Sequence, residues 1–259
     1  MHLLKFRLLG DAMKLPFELD KGIASKAALG LIVLETDETI ESEFAGLFNT
    51  IDVGMFQARI PVAQEITPDS LRDMEAALPT AVALLPSVFP IDVVGYACTS
   101  GATVIGAENI SKIVANIHPN AKTTDPITAV IAALQKLKAI RIGLVTPYAA
   151  EVSAAMIALL EQNGFQVVKF GSFEQQEDAT VARISPTSIY DAICKIGAAD
   201  DVDAVFVSCT NLRTFDVIER AEDHIGKPVV SSNQALAWHM LKLSDLEVPT
   251  VGPGILFSI

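Results

Sequence analysis

The chain writes one architectural plan twice. The run Ile91-Asp-Val-Val-Gly-Tyr-Ala-Cys98-Thr99-Ser100 returns as Val202-Asp-Ala-Val-Phe-Val-Ser-Cys209-Thr210-Asn211, an aliphatic stretch ending both times in Cys-Thr, 111 residues apart. Three other pairs keep the same order. Leu29 to Leu34 matches Ile140 to Val145, with Gly30 set on Gly143. Thr67-Pro68 matches Ser185-Pro186, each a good N-cap followed by proline at the first helical position. Lys122 to Leu137 matches Lys227 to Leu243, each a lysine, a short extended piece, a polar turn and a long apolar-periodic helix. Four ordered matches at offsets of 105 to 118 residues imply an internal duplication of about 110 residues.

Each half reads as β-α-β-α-β-α-β-α, which requires a mostly parallel sheet with right-handed crossovers and helices on both faces. The expected fold is therefore α/β, with two pseudo-symmetric halves, each a four-stranded parallel sheet, facing each other across a cleft. The expected boundaries are an N-terminal extension at 1–27, a first half at 28–138 and a second at 139–259. A chain of 259 residues, 51% hydrophobic and 19% charged, has ample material for such cores.

The charge balance narrows the function. A formal net charge of −12 repels phosphate backbones and anionic lipid, so neither nucleic acid nor a membrane surface is an expected partner. The longest uncharged run, Ala76 to Ile91, contains Pro79, Pro86 and Pro90 and is too short to span a bilayer. Charges from Lys5 to Asp20 interrupt any leader-like apolar core. Cys98, Cys194 and Cys209 show neither CxxC nor metal-ligand spacing, so no disulfide framework and no zinc site are expected, and a reducing cytoplasm is the expected setting.

Ligands of open parallel sheets bind beyond the carboxyl ends of the strands. Cys98 and Cys209 both stand there, so two facing halves would bring both thiols to one cleft. A free thiol is only a few per cent thiolate at neutral pH, and a helix N-terminus contributes less than one pKa unit, so further hydrogen bonds are needed. The local donors are the N–H groups of Thr99, Ser100, Thr210 and Asn211 and the hydroxyls of Thr99 and Ser100, which are also what an enolate or carboxylate would need. One thiolate removing a proton while the opposite thiol delivers another makes a racemase or epimerase. Addition of a thiolate to an activated C=C bond, rotation and elimination makes a cis–trans isomerase. Cys194 has no counterpart and is expected to be core.

With Leu29 to Glu41 at the first strand, Tyr-Ala-Cys98-Thr-Ser-Gly, Thr146-Pro-Tyr148 and Ser-Cys209-Thr-Asn, residues 28 to 259 resemble the superfamily of maleate cis-trans isomerases, Asp/Glu racemases and arylmalonate decarboxylases. The resemblance implies flavodoxin-like halves, no metal or organic cofactor, a small carboxylic acid substrate, and Cys98 and Cys209 as the catalytic pair. It further implies that Thr99 and Ser100 hold a substrate carboxylate and that Tyr148 donates its phenol to it. Maleate isomerases carry asparagines where this chain aligns Asp37 and Asp178. An ionised aspartate repels a carboxylate, so these residues bind an amino or hydroxyl group, or one stays protonated, or they have turned away. Arylmalonate decarboxylases work with the second thiol alone, and Cys98 argues against that chemistry here.

Other features were weighed. Gly101 to Gly106 has phosphate-loop glycine spacing, but Ala107 stands where the essential lysine belongs, and the stretch reads as a turn entering a helix. His239 beside Trp238 reads as a helix residue touching the core. The Ala-Arg-Ile triplets at Arg59 and Arg183 read as a second trace of the duplication, used for ion pairing or for contact within a homo-oligomer. A non-catalytic small-molecule binder would share the two-half plan, yet has no reason to place matched thiols at both strand ends.

Overall fold

A computed structural model describes residues 13–48, 52–63, 65–246, 248–249 and 252–259. The first half forms a parallel sheet in the order β2-β1-β3-β4, from β1 (Ala27–Leu34), β2 (Val53–Ile60), β3 (Val93–Ala97) and β4 (Lys122–Thr124). The second repeats the order as β6-β5-β7-β8, from β5 (Arg141–Tyr148), β6 (Gln166–Gln175), β7 (Ala204–Val207) and β8 (Val229–Ser231). Central strands β1, β3, β5 and β7 are buried almost throughout, as strands covered on both faces must be. The two parallel sheets expected from the repeat are both present.

Local chemistry sets the elements as the sequence suggests. Helix α1 (Ile40–Phe48) follows β1, and α2 (Pro68–Ala83) is capped by Thr67, whose side chain accepts from the Ser70 N–H. Helices α3 (Thr99–Ile105), α4 (Ala107–Ala115) and α5 (Pro126–Lys136) complete the first half. In the second, α6 (Ala150–Gln162) and the single turn α7 (Asp178–Val181) precede α8 (Pro186–Gly197), which Ser185 caps through the Ser188 N–H; α9 (Phe215–Ile225) and α10 (Ser232–Leu243) follow. The paired glycines mark equivalent close approaches. A Cβ on Gly30 would lie 2.6 Å from Leu85, and one on Gly143 2.5 Å from Ile196, so a large side chain after α2 or on α8 presses on the central strand of its half.

Three expectations from the sequence differ from the structure. Gly101 lies within α3 rather than in a turn, and the break falls at Gly106, whose φ of 87° ends α3 and starts α4. Cys194 on α8 is only half-buried, beside Tyr190 one turn away. Arg59 sits in β2, whereas Arg183 follows α7, so the two triplets are not equivalent; each arginine does pair with a carboxylate, Arg59 with Glu41 at 2.6 Å and Arg183 with Glu38 at 2.8 Å. After the second thiol the chain runs through a turn, and α9 begins at Phe215, six residues beyond Cys209. His239, on α10, shares a 2.7 Å hydrogen bond with the Thr124 hydroxyl and is the helix residue expected.

The halves interlock. Helix α10 packs on α5 and reaches over β3 of the first sheet, where Met240 lies against Gly95. In return, Glu43 of α1 crosses to the second half and accepts from the Thr214 N–H at 2.6 Å, the Phe215 N–H at 3.0 Å and the Asn233 amide at 2.7 Å. Burial outweighs these donors and pushes Glu43 up to about 7. A folded-state value above the ordinary 4.5 means the native protein binds this proton more tightly than the unfolded chain. The contribution is complete below about 4.5 and lost as pH rises through 7, and Glu222, pushed up to about 7 by burial, acts in the same direction. The melting temperature should therefore fall between pH 5 and 8, and less steeply for Glu43→Gln. Parallel melting profiles for the two proteins would contradict the assignment.

Candidate active site

Both thiols reach one enclosed cavity between the sheets. It is lined by Leu34, Thr36, Val62, Ala63, Glu65, Ile66, Ser70 and Leu71 from the first half, by Cys98, Thr99 and Ser100 after β3, and by Tyr148, Asp178, Cys209 and Thr210 from the second. Its volume is about 20 Å³, room for roughly one water. A larger open groove lies elsewhere, between α1 and α9, and touches neither thiol.

The two sulfurs have the same neighbours in sequence but different settings. Cys98 is the N-cap of α3: its Sγ accepts from the Gly101 N–H at 3.2 Å and lies 3.6 Å from the Ser100 hydroxyl. Position 101 must be glycine, because a Cβ there would stand 2.6 Å from the Tyr96 hydroxyl and 3.0 Å from the Cys98 sulfur. Cys209 instead adopts a φ of 124°, a conformation L-residues rarely take, and its Sγ accepts only a longer contact, 3.4 Å, from the Asn211 N–H. Tyr148 faces this second sulfur from β5 and lowers its pKa, with Ser208 close to the same phenol.

Burial dominates the titration of both. It pushes Cys98 up to about 12 against the pull of Ser100 and Gly101, and pushes Cys209 well above its ordinary value; the Asp178 and Asp37 charges raise both further. Of the donors expected from the sequence, the Ser100 hydroxyl stands at Cys98 and the Asn211 N–H at Cys209, the Gly101 N–H is an unexpected third, and burial outweighs them all. Burial in the closed cavity thus favours the thiol form of both over the thiolate.

Of the other residues singled out from the sequence, Thr99 hydrogen-bonds Ser232 at 2.8 Å, and the same Ser232 oxygen accepts from the Cys209 N–H at 3.0 Å. One hydroxyl thus ties the two thiol-bearing turns together. Thr210 lines the cavity and directs its hydroxyl to the Ala97 carbonyl at 3.4 Å. Asn211 lies behind the cavity wall: its amide accepts from the Glu38 N–H at 2.9 Å and donates to the Thr36 and Asp178 carbonyls at 3.3 and 3.2 Å. Asp37 also lies outside the lining. Its Oδ1 accepts from the Thr39 and Ile40 N–H groups and so caps α1, its buried Oδ2 makes no close hydrogen bond among the described residues, and burial raises its pKa against the pull of those N–H groups and the Thr210 hydroxyl. Asp178 does face the thiols, with Oδ2 taken by the Thr36 hydroxyl.

Sequence reasoning missed Ser232, Asn233 and Glu43. Asn233 donates to the Thr210 carbonyl at 2.8 Å as well as to Glu43, so a relay from α1 supports the turn beside Cys209. The only local signal was the capping box Ser231 to Gln234, which starts α10 where β8 ends. Among the described residues no cluster of three or more metal-ligating side chains occurs, and no helix is long and apolar enough to cross a membrane.

Two facing parallel-sheet halves with a thiol at the carboxyl end of each third strand define an α/β enzyme class. The chain belongs to the arylmalonate decarboxylase family, whose profile matches residues 29–257. A maleate isomerase from Pseudomonas putida is 25% identical over 243 residues, covering 89% of this chain and 96% of its own. An arylmalonate decarboxylase from Bordetella bronchiseptica is 30% identical over 118 residues, 45% of this chain and 49% of its own. Among solved structures, a Nocardia farcinica maleate cis-trans isomerase with a covalently bound succinylcysteine intermediate superposes with a TM-score of 0.82 at 25% identity, covering 89% of this chain and 98% of the other. The resemblance read from the sequence and the fold expected with it both hold.

Proposed function

We propose that the chain is a cofactor-independent isomerase that acts on a small carboxylic acid through Cys98 and Cys209. The observation that carries this reading is that both sulfurs line one enclosed cavity, each delivered by a different half. The cavity holds only about one water as it stands, so substrate entry requires it to widen; a carbon acid then held between the sulfurs exposes one face to each. A thiolate on one side takes the proton, the electron pair passes into the carboxylate, and the thiol on the other side returns a proton to the same carbon, inverting it. Ser100 and Tyr148 are the hydroxyl groups that supply hydrogen bonds to the acid as charge develops on it. With an unsaturated acid the same thiolate adds to the double bond and is expelled after rotation. The succinylcysteine of the Nocardia enzyme supports covalent addition as a route open to this architecture. Free thiols suit a reducing compartment such as the cytoplasm.

A second reading, decarboxylation of a malonate-type acid, is favoured by the different settings of the two sulfurs: each has a tyrosine hydroxyl beside it, but Cys98 caps α3 whereas Cys209 stands at a φ of 124°. Proton NMR in D2O separates the two. Incubation with maleate, aspartate, glutamate and phenylmalonate should give deuterium at a stereocentre or fumarate from maleate. Release of carbon dioxide from phenylmalonate with no isomerisation of the other acids would replace the proposal with the second reading.

A further inference from the structure

Resting on that two-thiol reading, we infer that the acid turned over is a 2-amino acid with a neutral, apolar side chain. The cavity has three chemically distinct walls around the two sulfurs. Ser100 and Tyr148 present hydroxyls, the partners of a single carboxylate. Leu34, Val62, Ile66 and Leu71 make an apolar wall. The third wall is Asp178, only 7% exposed: Thr36 holds its Oδ2, and no donor among the described residues meets its Oδ1.

No lysine, arginine or histidine is among the described residues that line it. A second carboxylate on the substrate would therefore have to sit against Asp178, or near Glu65 at the exposed rim, with no cation to offset it, which is costly in a buried site. An ammonium group reverses the sign of that interaction. It supplies donors to the free Asp178 oxygen and makes the bound acid a zwitterion rather than a dianion. It also brings a positive charge beside two sulfurs whose ionisation Asp178 and Asp37 oppose. Carboxylate, ammonium and apolar side chain then each have a wall, and the remaining substituent of the α-carbon, its hydrogen, lies on the axis between the thiols. The Cα–H bond breaks as an S–H bond forms on one side. The opposite S–H bond breaks as the new Cα–H bond forms, so atoms and electrons balance with no further reactant.

The test is a substrate ranking in D2O. The full chain is incubated with L-leucine, L-methionine and L-phenylalanine, with the 2-hydroxy acids of the same side chains, and with L-aspartate and maleate; α-proton loss is followed by NMR and inversion by chiral chromatography. The apolar amino acids should exchange and racemise fastest. Asp178→Asn should lower that rate by roughly 10- to 100-fold, the loss of a charge-assisted hydrogen bond, and raise relative activity on maleate. Turnover of maleate or L-aspartate without the apolar amino acids would overturn this inference and leave the two-thiol reading standing, provided Cys98→Ala abolishes it. Preference for the 2-hydroxy acids would likewise overturn it. No exchange on any of these acids would overturn both. Should Asp178→Asn not fold, the wild-type ranking alone decides.

Discussion

Cys98→Ala and Cys209→Ala should each reduce isomerisation by roughly 10³- to 10⁴-fold, because a positioned acid or base contributes about 10²–10⁴ and neither sulfur can do the work of the other from the wrong face. The fold should survive both changes. Each side chain is small and buried at the end of a strand, and its strongest contacts are single N–H groups of the following turn and a nearby hydroxyl, so the cost should be about 1 kcal/mol. Thermal unfolding of the purified variants checks that half of the prediction, and turnover on the best acid of the panel checks the other. The two variants also divide the reactions. A decarboxylase that needs Cys209 alone would keep its rate in Cys98→Ala, whereas a proton relay through both faces stops in either. Isomerisation that persists in Cys98→Ala would sink the two-thiol mechanism.

The largest expected loss of stability is at Asn211. Its side chain joins the turn after β1 to the start of α7, accepting from the Glu38 N–H and donating to the Thr36 and Asp178 carbonyls. Replacement by alanine removes three hydrogen bonds in the seam between the halves, the Asp178 carbonyl keeping only the Ala182 N–H. At about 1 kcal/mol each, the total is about 3 kcal/mol, or a drop in melting temperature of roughly 6–12 °C. Activity should decline further than stability at the assay temperature, because the same contacts place Thr36 against Asp178 beside the thiols. Differential scanning calorimetry of Asn211→Ala decides this; a drop below 2 °C would mean that water replaces these bonds without loss.

The architecture was legible because it is repeated. The proline-led caps at Thr67 and Ser185, the glycines facing Leu85 and Ile196, and the aliphatic runs ending at Cys98 and Cys209 all express local rules, and a second copy of each separates signal from coincidence. What escaped was whatever depends on the two halves meeting. Glu43 and Asn233 stand 190 residues apart, and each alone is an ordinary helix residue. Ser232 becomes a link between Thr99 and Cys209 only once α10 is laid over the first sheet. Asp37 was read by its alignment to substrate-binding asparagines, yet Asp37-Glu38-Thr39-Ile40 spells a side-chain cap, with the N–H groups two and three residues on bonded to the carboxylate. The delayed start of α9 was hidden because Cys-Thr is followed by a helix in one copy and by a turn in the other.

That difference sets the two sulfurs apart chemically. Two identical half-chains paired about a two-fold axis would have to give both sulfurs the same backbone, the same donors and the same acidity, and a change to one would be a change to both. Joined in one polypeptide, the copies are free to diverge. Cys98 has settled into a relaxed helix cap beside a serine, while Cys209 is held at a φ of 124° beneath a tyrosine. Within one chain the two sulfurs are inequivalent, so a molecule held between them would meet a different group on each face.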